Sequence, residues 1–393
     1  MQHISQSPTD PAFVQNPYAF YDKARALGPI VWWDDYSMPC AVSFSAANAI
    51  LRDRRFGREE PPETRRPIPA HVAAFYGVEA HSMLELEPPR HTRLRNLVLR
   101  AFTSRRIAEL GPEIRALSQE FAQNLPPGPF DFLAQFGQKL PLVVIARLLG
   151  VPETMGPQLL AWSNAMVGMY QAGRSRVMED AADRAAAEFV VFLREYVERR
   201  RARPADDLIT HLIAAEQEGE RLSTDELIST CILLLNAGHE ATVHSLGIAV
   251  KTLLETRTPL EALGPDRIEA TVEEVLRFDP PLHLFARWAY EDVDVMGHLF
   301  RRGDKVACLL GAANRDPRMF DAPHRFDPSR PAKTNLAFGA GLHFCVGAPL
   351  ARLEMQIALP ILFSARPGLK LAEPARYAPV YHFHGLERLM LKG

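Results

Sequence analysis

Cysteine is scarce in this chain, with four residues in 393, and those four (Cys40, Cys231, Cys308 and Cys345) lie far apart. No Cys-x-x-Cys pair occurs, which excludes a zinc framework and a disulfide scaffold and suits a reducing cytoplasm. Excess charge is also missing. Lys and Arg total 45 against 47 Asp and Glu, a formal net charge of −2. Nothing in that balance calls for nucleic acid or an anionic membrane as a partner. The first eleven residues are polar, without the apolar core of a signal peptide or the ~20 apolar residues of an anchor. A cytoplasmic protein with no membrane partner is therefore expected. His-Glu-x-x-His is absent, and His382 and His384 alternate as on a strand. Internal repeats and low-complexity tracts are absent too.

Apolar residues make up 47% of the chain, enough for a large core, and 32 prolines punctuate many short elements. Helical periodicity covers residues 90–101, 107–123, 136–149, 157–170, 177–201 and 224–254. Ser223 with Glu226 gives a capping box at the start of the longest of these. Short alternating segments suggest strands near residues 29–43, 291–309 and 376–392. The balance is mainly α with small β-sheets. No linker separates independent domains, so residues 1–393 are expected to form one domain. Its helix-rich core would span residues 90–280 and 338–365, with β-rich portions at 29–60, 285–310 and 376–393.

The most telling stretch is Phe338-Gly339-Ala340-Gly341-Leu342-His343-Phe344-Cys345-Val346-Gly347. It sets one cysteine in a glycine-rich loop ahead of an apolar helix over 348–362. Glycine permits positive φ and close backbone approach. A helix N-terminus favours the thiolate, and Pro349 fits a first helical turn. A lone cysteine is usually a small buried hydrophobe, but the whole pattern says more. Its spacing resembles the haem-ligand loop of cytochromes P-450. The resemblance runs from Asn16-Pro17-Tyr18 to Gly385-Leu386 and points to the soluble bacterial members.

That resemblance implies a fold and a set of roles. The fold would be a triangular prism of helices around a buried haem b (iron protoporphyrin IX). Cys345 would be the axial ligand, with Phe338, Gly339 and Gly347 shaping its loop. Glu274-Val275-Leu276-Arg277 matches the family's Glu-x-x-Arg, and Pro323-His324-Arg325-Phe326 matches its arginine partner. Glu274, Arg277 and Arg325 would form a buried structural triad, although Glu and Arg at this spacing also occur as exposed pairs of little weight. His91 and Arg95 share a helix face. With Arg287 and His343 they match the family's haem-propionate donors, where charge-assisted bonds are strong.

The long helix carries Ala237-Gly238-His239-Glu240-Ala241-Thr242. This resembles the distal oxygen-binding segment Ala/Gly-Gly-x-Asp/Glu-Thr. Ala237, Gly238 and Glu240 match, which gives proton delivery to Glu240. The threonine position holds Ala241, and Thr242 is turned by about 100° on a helix of 3.6 residues per turn. Ordered water, a substrate hydroxyl or a distorted helix would have to replace the missing alcohol. Family topology makes Leu233, Leu282, Leu284, Phe285 and Phe383 an apolar pocket, with His283 and His384 either as its polar candidates or as satisfied histidines behind it.

The implied reaction is monooxygenation of an apolar small molecule by O2. Lacking a flavin or iron–sulfur segment, the chain would draw electrons from NAD(P)H through a ferredoxin and its reductase. Arg90, Arg93, Arg100, Arg105, Arg106 and Arg352 are candidates for a docking face. Two alternatives are a peroxide-driven peroxygenase and a non-catalytic haem-binding or sensing protein.

Overall fold

A computed structural model describes residues 1–171, 173–217, 222–331 and 334–393, with the side chains of 216 and 217 excepted. The chain divides into two compact units that interleave along the sequence. One comprises residues 1–64, 113–138 and 241–393, and the other residues 65–112 and 139–240.

The first unit carries the β-structure. Its main sheet uses β1 (His3–Ile4), β2 (Ile30–Trp33), β3 (Met38–Ala41), β4 (Phe56–Gly57), β5 (Leu284–Ala289) and β6 (Lys305–Leu309). Their order is β1-β2-β3-β6-β5-β4. β2 pairs with β3 antiparallel, Val31 opposite Cys40, and β3 runs parallel to β6. β5 pairs with β6 antiparallel, which sets Arg287 opposite Val306. Phe13, Phe20, Trp33, Tyr36 and Tyr381 pack ring against ring over one part of this sheet. Aromatic side chains bury large areas each, so this cluster is a main source of hydrophobic stabilisation. The same unit holds the helices Ile268–Phe278 and Ala348–Ala365, which pack together.

The second unit is helical. Arg90–Ala101 is α1 and Arg176–Ala202 is α2. Trp162 stacks near Phe189 of α2, ring centroids 4.9 Å apart. Both units share α3, Thr224–Glu255, and the division falls between Glu240 and Ala241. Within the second unit its start is the capping box read from the sequence. Ser223 Oγ accepts the Glu226 N–H at 3.2 Å, and a Glu226 carboxylate oxygen accepts the Ser223 N–H at 2.8 Å. Such a cap contributes about 1 kcal/mol. Ile268–Phe278 is α4 and Ala348–Ala365 is α5. No helix among the described residues is long and apolar enough to cross a membrane.

Several boundaries shift from the sequence reading. The stretch 107–123 breaks into Ser104–Glu109 and Gly111–Gln123. The helix expected from 136 starts at Lys139, after a wider helical turn over Leu133–Gly137. Short helices meeting at such points cannot be separated by periodicity alone.

Candidate active site

In the first unit the Cys345 loop is held by its own backbone. The Cys345 N–H donates to the Phe338 carbonyl at 3.1 Å, and the Phe344 N–H to the Gly341 carbonyl at 3.1 Å. Gly339 and Gly341 have φ of +69° and +72°. A Cβ on Gly341 would run into the Leu51 carbonyl and reach Arg52 Cα at 2.9 Å, so the loop passes where only glycine fits. Leu336 N–H donates to Asn314 Oδ1 at 2.7 Å, which anchors the loop's entry. α5 begins at Ala348, three residues beyond the cysteine, with Pro349 in its first turn.

The four thiols differ in setting. Cys40, Cys231 and Cys308 are buried, and Cys345 is partly exposed. Burial pushes the Cys231 and Cys308 thiols up to about 12 and that of Cys40 higher still. Those three behave as small hydrophobes, leaving Cys345 as the thiol placed for chemistry.

Glu274 and Arg277 make the expected buried pair on α4. Arg277 Nε donates to Glu274 Oε2 at 2.7 Å and Nη2 to Oε1 at 2.8 Å. Arg277 Nη1 donates to the carbonyls of Asn314 and Pro323, at 2.9 and 3.0 Å. The third arginine is a correction. Arg330, not Arg325, completes the triad, with Nε 3.2 Å from Glu274 Oε2. The Arg325 side chain is 71% exposed and pairs with Asp327 at 2.6 Å. Arg325 contributes only its carbonyl, which accepts from Arg277 Nη2 at 3.3 Å. The turn sends the Asp327 N–H back to Glu274 Oε1 at 2.9 Å, so Arg330 points inward.

Arg287 on β5 is only 2% exposed. His343 lies in the short turn Gly341–His343 beside Cys345. Arg352 sits 4.6 Å above the Phe338 ring and pairs with Glu273, which removes it from a free basic face. In the second unit, His91 is buried on α1 and Arg95 is partly exposed on the same helix. Arg93, Arg105 and Arg106 pair with Glu226, Glu109 and Asp206 there.

Thr242 follows Ala241 within the helical span of α3 and is turned from it by about 100°. Thr242 is buried, and Ser245 Oγ donates to the Ala241 carbonyl at 2.8 Å. Leu234, Asn236 and Gly238 are at least partly exposed in the middle of α3, and so are Leu233, Ala237, Glu240, Ala241 and His244. The spacing of these last five puts them on one stripe. Gly238 packs beneath it, where a Cβ would lie 3.2 Å from the Ile145 side chain. His239 Nδ1 is 3.8 Å from a Glu240 carboxylate oxygen.

The apolar residues expected around a substrate divide in two. Leu282 and Phe383 pair across an isolated bridge, and both are partly exposed, as are Phe285 and Leu233. Leu284, His283 and His384 are corrections. Leu284 belongs to the aromatic core. His283 and His384 turn inward to Asp279, where His283 is 0% exposed. Asp279 itself gave no signal in the sequence beyond its place before Pro280-Pro281.

The donor set in the first unit fits a haem. A partly exposed thiol stands in a loop where glycines replace side chains, and a buried guanidinium comes from a neighbouring strand. The chain belongs to the cytochrome P450 family, in which it is a haem-dependent monooxygenase using O2. The family's sequence model matches residues 268–365. The biotin biosynthesis cytochrome P450 of Bacillus subtilis (strain 168) is 36% identical over 395 residues, covering 98% of each chain. The 6-deoxyerythronolide B hydroxylase of Saccharopolyspora erythraea is 36% identical over 357 residues, 88% of this chain and 85% of that one. Among solved structures, P450BioI in complex with an acyl carrier protein ligated to hexadec-9Z-enoic acid has a TM-score of 0.91 and 35% identity. That match covers 97% of this chain and 99% of that one.

Proposed function

We propose that this chain oxygenates an apolar organic substrate, with Cys345 as the residue that would hold the haem iron and electrons from NAD(P)H through a ferredoxin reductase and a ferredoxin. The observation that carries the reading is the Cys345 loop, a partly exposed thiol held at the start of α5 by backbone bonds and two positive-φ glycines. When bound, the haem supplies activation of O2, and a thiolate ligand favours O–O cleavage. Arg287 and His343, with His91 and Arg95, are proposed to bind its propionates. Glu240 holds and passes protons from its partly exposed place on α3. Ala241 leaves room on the same stripe, and with Thr242 buried the alcohol's part falls to water or to a substrate hydroxyl. Leu233, Leu282, Phe285 and Phe383 offer apolar contact.

The acyl carrier protein bound to P450BioI makes a long acyl chain, free or carrier-borne, the first substrate class to try. The reaction is proposed to run in the cytoplasm. Retained Glu240 favours the donor-protein route over a peroxide-driven one.

The test is turnover. The reduced protein with carbon monoxide should show the thiolate-ligated band. Long-chain acyl substrates should then be hydroxylated with NAD(P)H, reductase and ferredoxin present. Product with peroxide alone, but none with the donor proteins, would install the peroxygenase reading. Tight binding without product under either condition would leave a ligand-binding protein.

A further inference from the structure

Asp279, His283 and His384 come from the end of α4, the following turn and the C-terminal tail, all within the first unit. One ligand atom from each lies within 4.8 Å of the others, and all three residues are buried. His283 Nε2 is 3.9 Å and His384 Nε2 is 3.6 Å from the same Asp279 oxygen, Oδ1. Both distances exceed a hydrogen bond. His283 Nε2 has no hydrogen-bond partner although its residue is 0% exposed. Three electron-pair donors thus converge on one point without satisfying one another.

Their surroundings hold them in that attitude. Tyr21 Oη lies 2.7 Å from His283 Nδ1, which fixes the ring with Nε2 toward Asp279. The Tyr18 hydroxyl donates to Asp279 Oδ1 at 2.6 Å, and the Tyr377 hydroxyl donates to Oδ2. A carboxylate oxygen has two lone-pair sites, so Oδ1 keeps one. The Tyr377 ring lies flat on His384, centroids 3.8 Å apart at 15°. The cations nearby have other partners. Arg315 lies over the Tyr18 ring and donates from Nε to the Phe278 carbonyl, and Lys251 pairs with Glu255 at 2.9 Å.

We propose that Asp279, His283 and His384 form a structural binding site for a divalent transition-metal ion of the zinc class. Two imidazole nitrogens and one carboxylate oxygen make a donor set that zinc accepts, with a water in the fourth position. Tetrahedral ligands about 2.1 Å from zinc stand about 3.4 Å apart, so each imidazole nitrogen, at 3.9 and 3.6 Å from Oδ1, needs to close on it by about half an ångström or less, while the two nitrogens lie within 4.8 Å of each other. Hydroxyls holding the carboxylate and one imidazole are the outer shell such a site requires. Bound metal would tie the end of α4 to the tail and fix Leu282 and Phe383, the chain neighbours of two of its ligands.

The site is independent of the haem reading, and its test reads metal instead of turnover. Haem-loaded protein is dialysed against EDTA, incubated with zinc, desalted and assayed for zinc by mass spectrometry. One zinc per chain should remain, with a melting temperature above that of the EDTA-treated protein. His283→Gln and His384→Gln should each weaken retention by more than about 100-fold, beyond the loss typical of an outer-shell change. No retained zinc and no thermal shift in the unaltered protein overturns the proposal, and needs no variant to fold. Equal zinc in both variants also overturns it, since the metal would then sit on surface histidines.

Discussion

The Cys345 loop and the middle of α3 secure their chemistry in opposite ways. The loop depends on irregular backbone, with positive-φ glycines, short turns and a buried acid–arginine triad in the same unit. The middle of α3 lies within a long helix, and its character comes from which side chains occupy one partly exposed stripe. Irregular backbone tolerates few sequences, because a Cβ at Gly341 has nowhere to go. A regular helix accepts Ala for Thr without any backbone consequence. The loop therefore keeps its family pattern here, while the helix departs from it at Ala241.

The largest effect should come from the loop. Cys345→Ala removes the thiol while leaving the glycine turns in place. Haem uptake should fall, the thiolate-ligated carbon monoxide band should vanish, and monooxygenation should be undetectable. A surviving band would assign the ligand elsewhere and dissolve the contrast between the two regions.

Next comes the triad. Glu274→Ala leaves Arg277 and Arg330 buried without their carboxylate, and breaking such a pair costs about 3–5 kcal/mol. Chemical denaturation should show a loss of that order. Arg330→Ala should cost less, because Arg277 still holds Glu274 through two bonds. Arg325→Ala should stay within about 0.5 kcal/mol, the range of exposed pairs. An Arg325 effect larger than that of Arg330 would reverse the assignment made from the geometry.

That assignment marks what the sequence held and what it hid. Glu274-x-x-Arg277 was legible because both residues sit on one helix, where spacing decides the shared face. The third arginine lies beyond an irregular turn. Arg325 and Arg330 are five residues apart, and the bond from the Asp327 N–H to Glu274 decides which one points inward. The Cys345 loop, the Ser223 capping box and the long helices were readable for the same local reason. Spacing alone does not decide between pocket and core for His283 and His384, because distant segments supply their partners. Tyr21 and Asp279 are reached only through tertiary folding.

The helix behind the loop offers a third and smaller test. Glu354 on α5 is fully buried, one of its oxygens has no partner, and desolvation raises it to about 8. The unfolded chain has an ordinary glutamate near 4.3. Below pH ~4 both states hold the proton, and stability is indifferent to this group. As pH rises from about 4 to 8, the unfolded state releases the proton while the folded state keeps it, so stability falls. Glu354→Gln should therefore raise the melting temperature at pH 8, by the equivalent of a few kcal/mol at most, and leave it nearly unchanged at pH 4. A gain of equal size at both pH values would mean that packing, and not ionisation, is responsible. Glu240 makes the contrast: Glu354 is buried within α5, whereas Glu240 stands partly exposed on α3.

The smallest effect belongs to Ala241, where the sequence departs from the distal pattern it otherwise resembles. Ala241→Thr places a hydroxyl on the exposed stripe of α3. Threonine is less favourable in a helix than alanine by roughly 0.5 kcal/mol, so a slight loss of stability is expected. Its hydroxyl would turn back toward the Ala237 carbonyl, as helical threonines do. With Glu240 unchanged and Ser245 already bonded to the Ala241 carbonyl, the helix has no local gap to repair. The ratio of product formed to NAD(P)H consumed should therefore change less than about twofold with a well-fitting substrate, under the tenfold that 1.4 kcal/mol would give. A large rise in that ratio on restoring threonine would show that neither water nor substrate had replaced the alcohol. The two regions would then differ less than their backbones suggest, each relying on one side chain that regular structure does not protect.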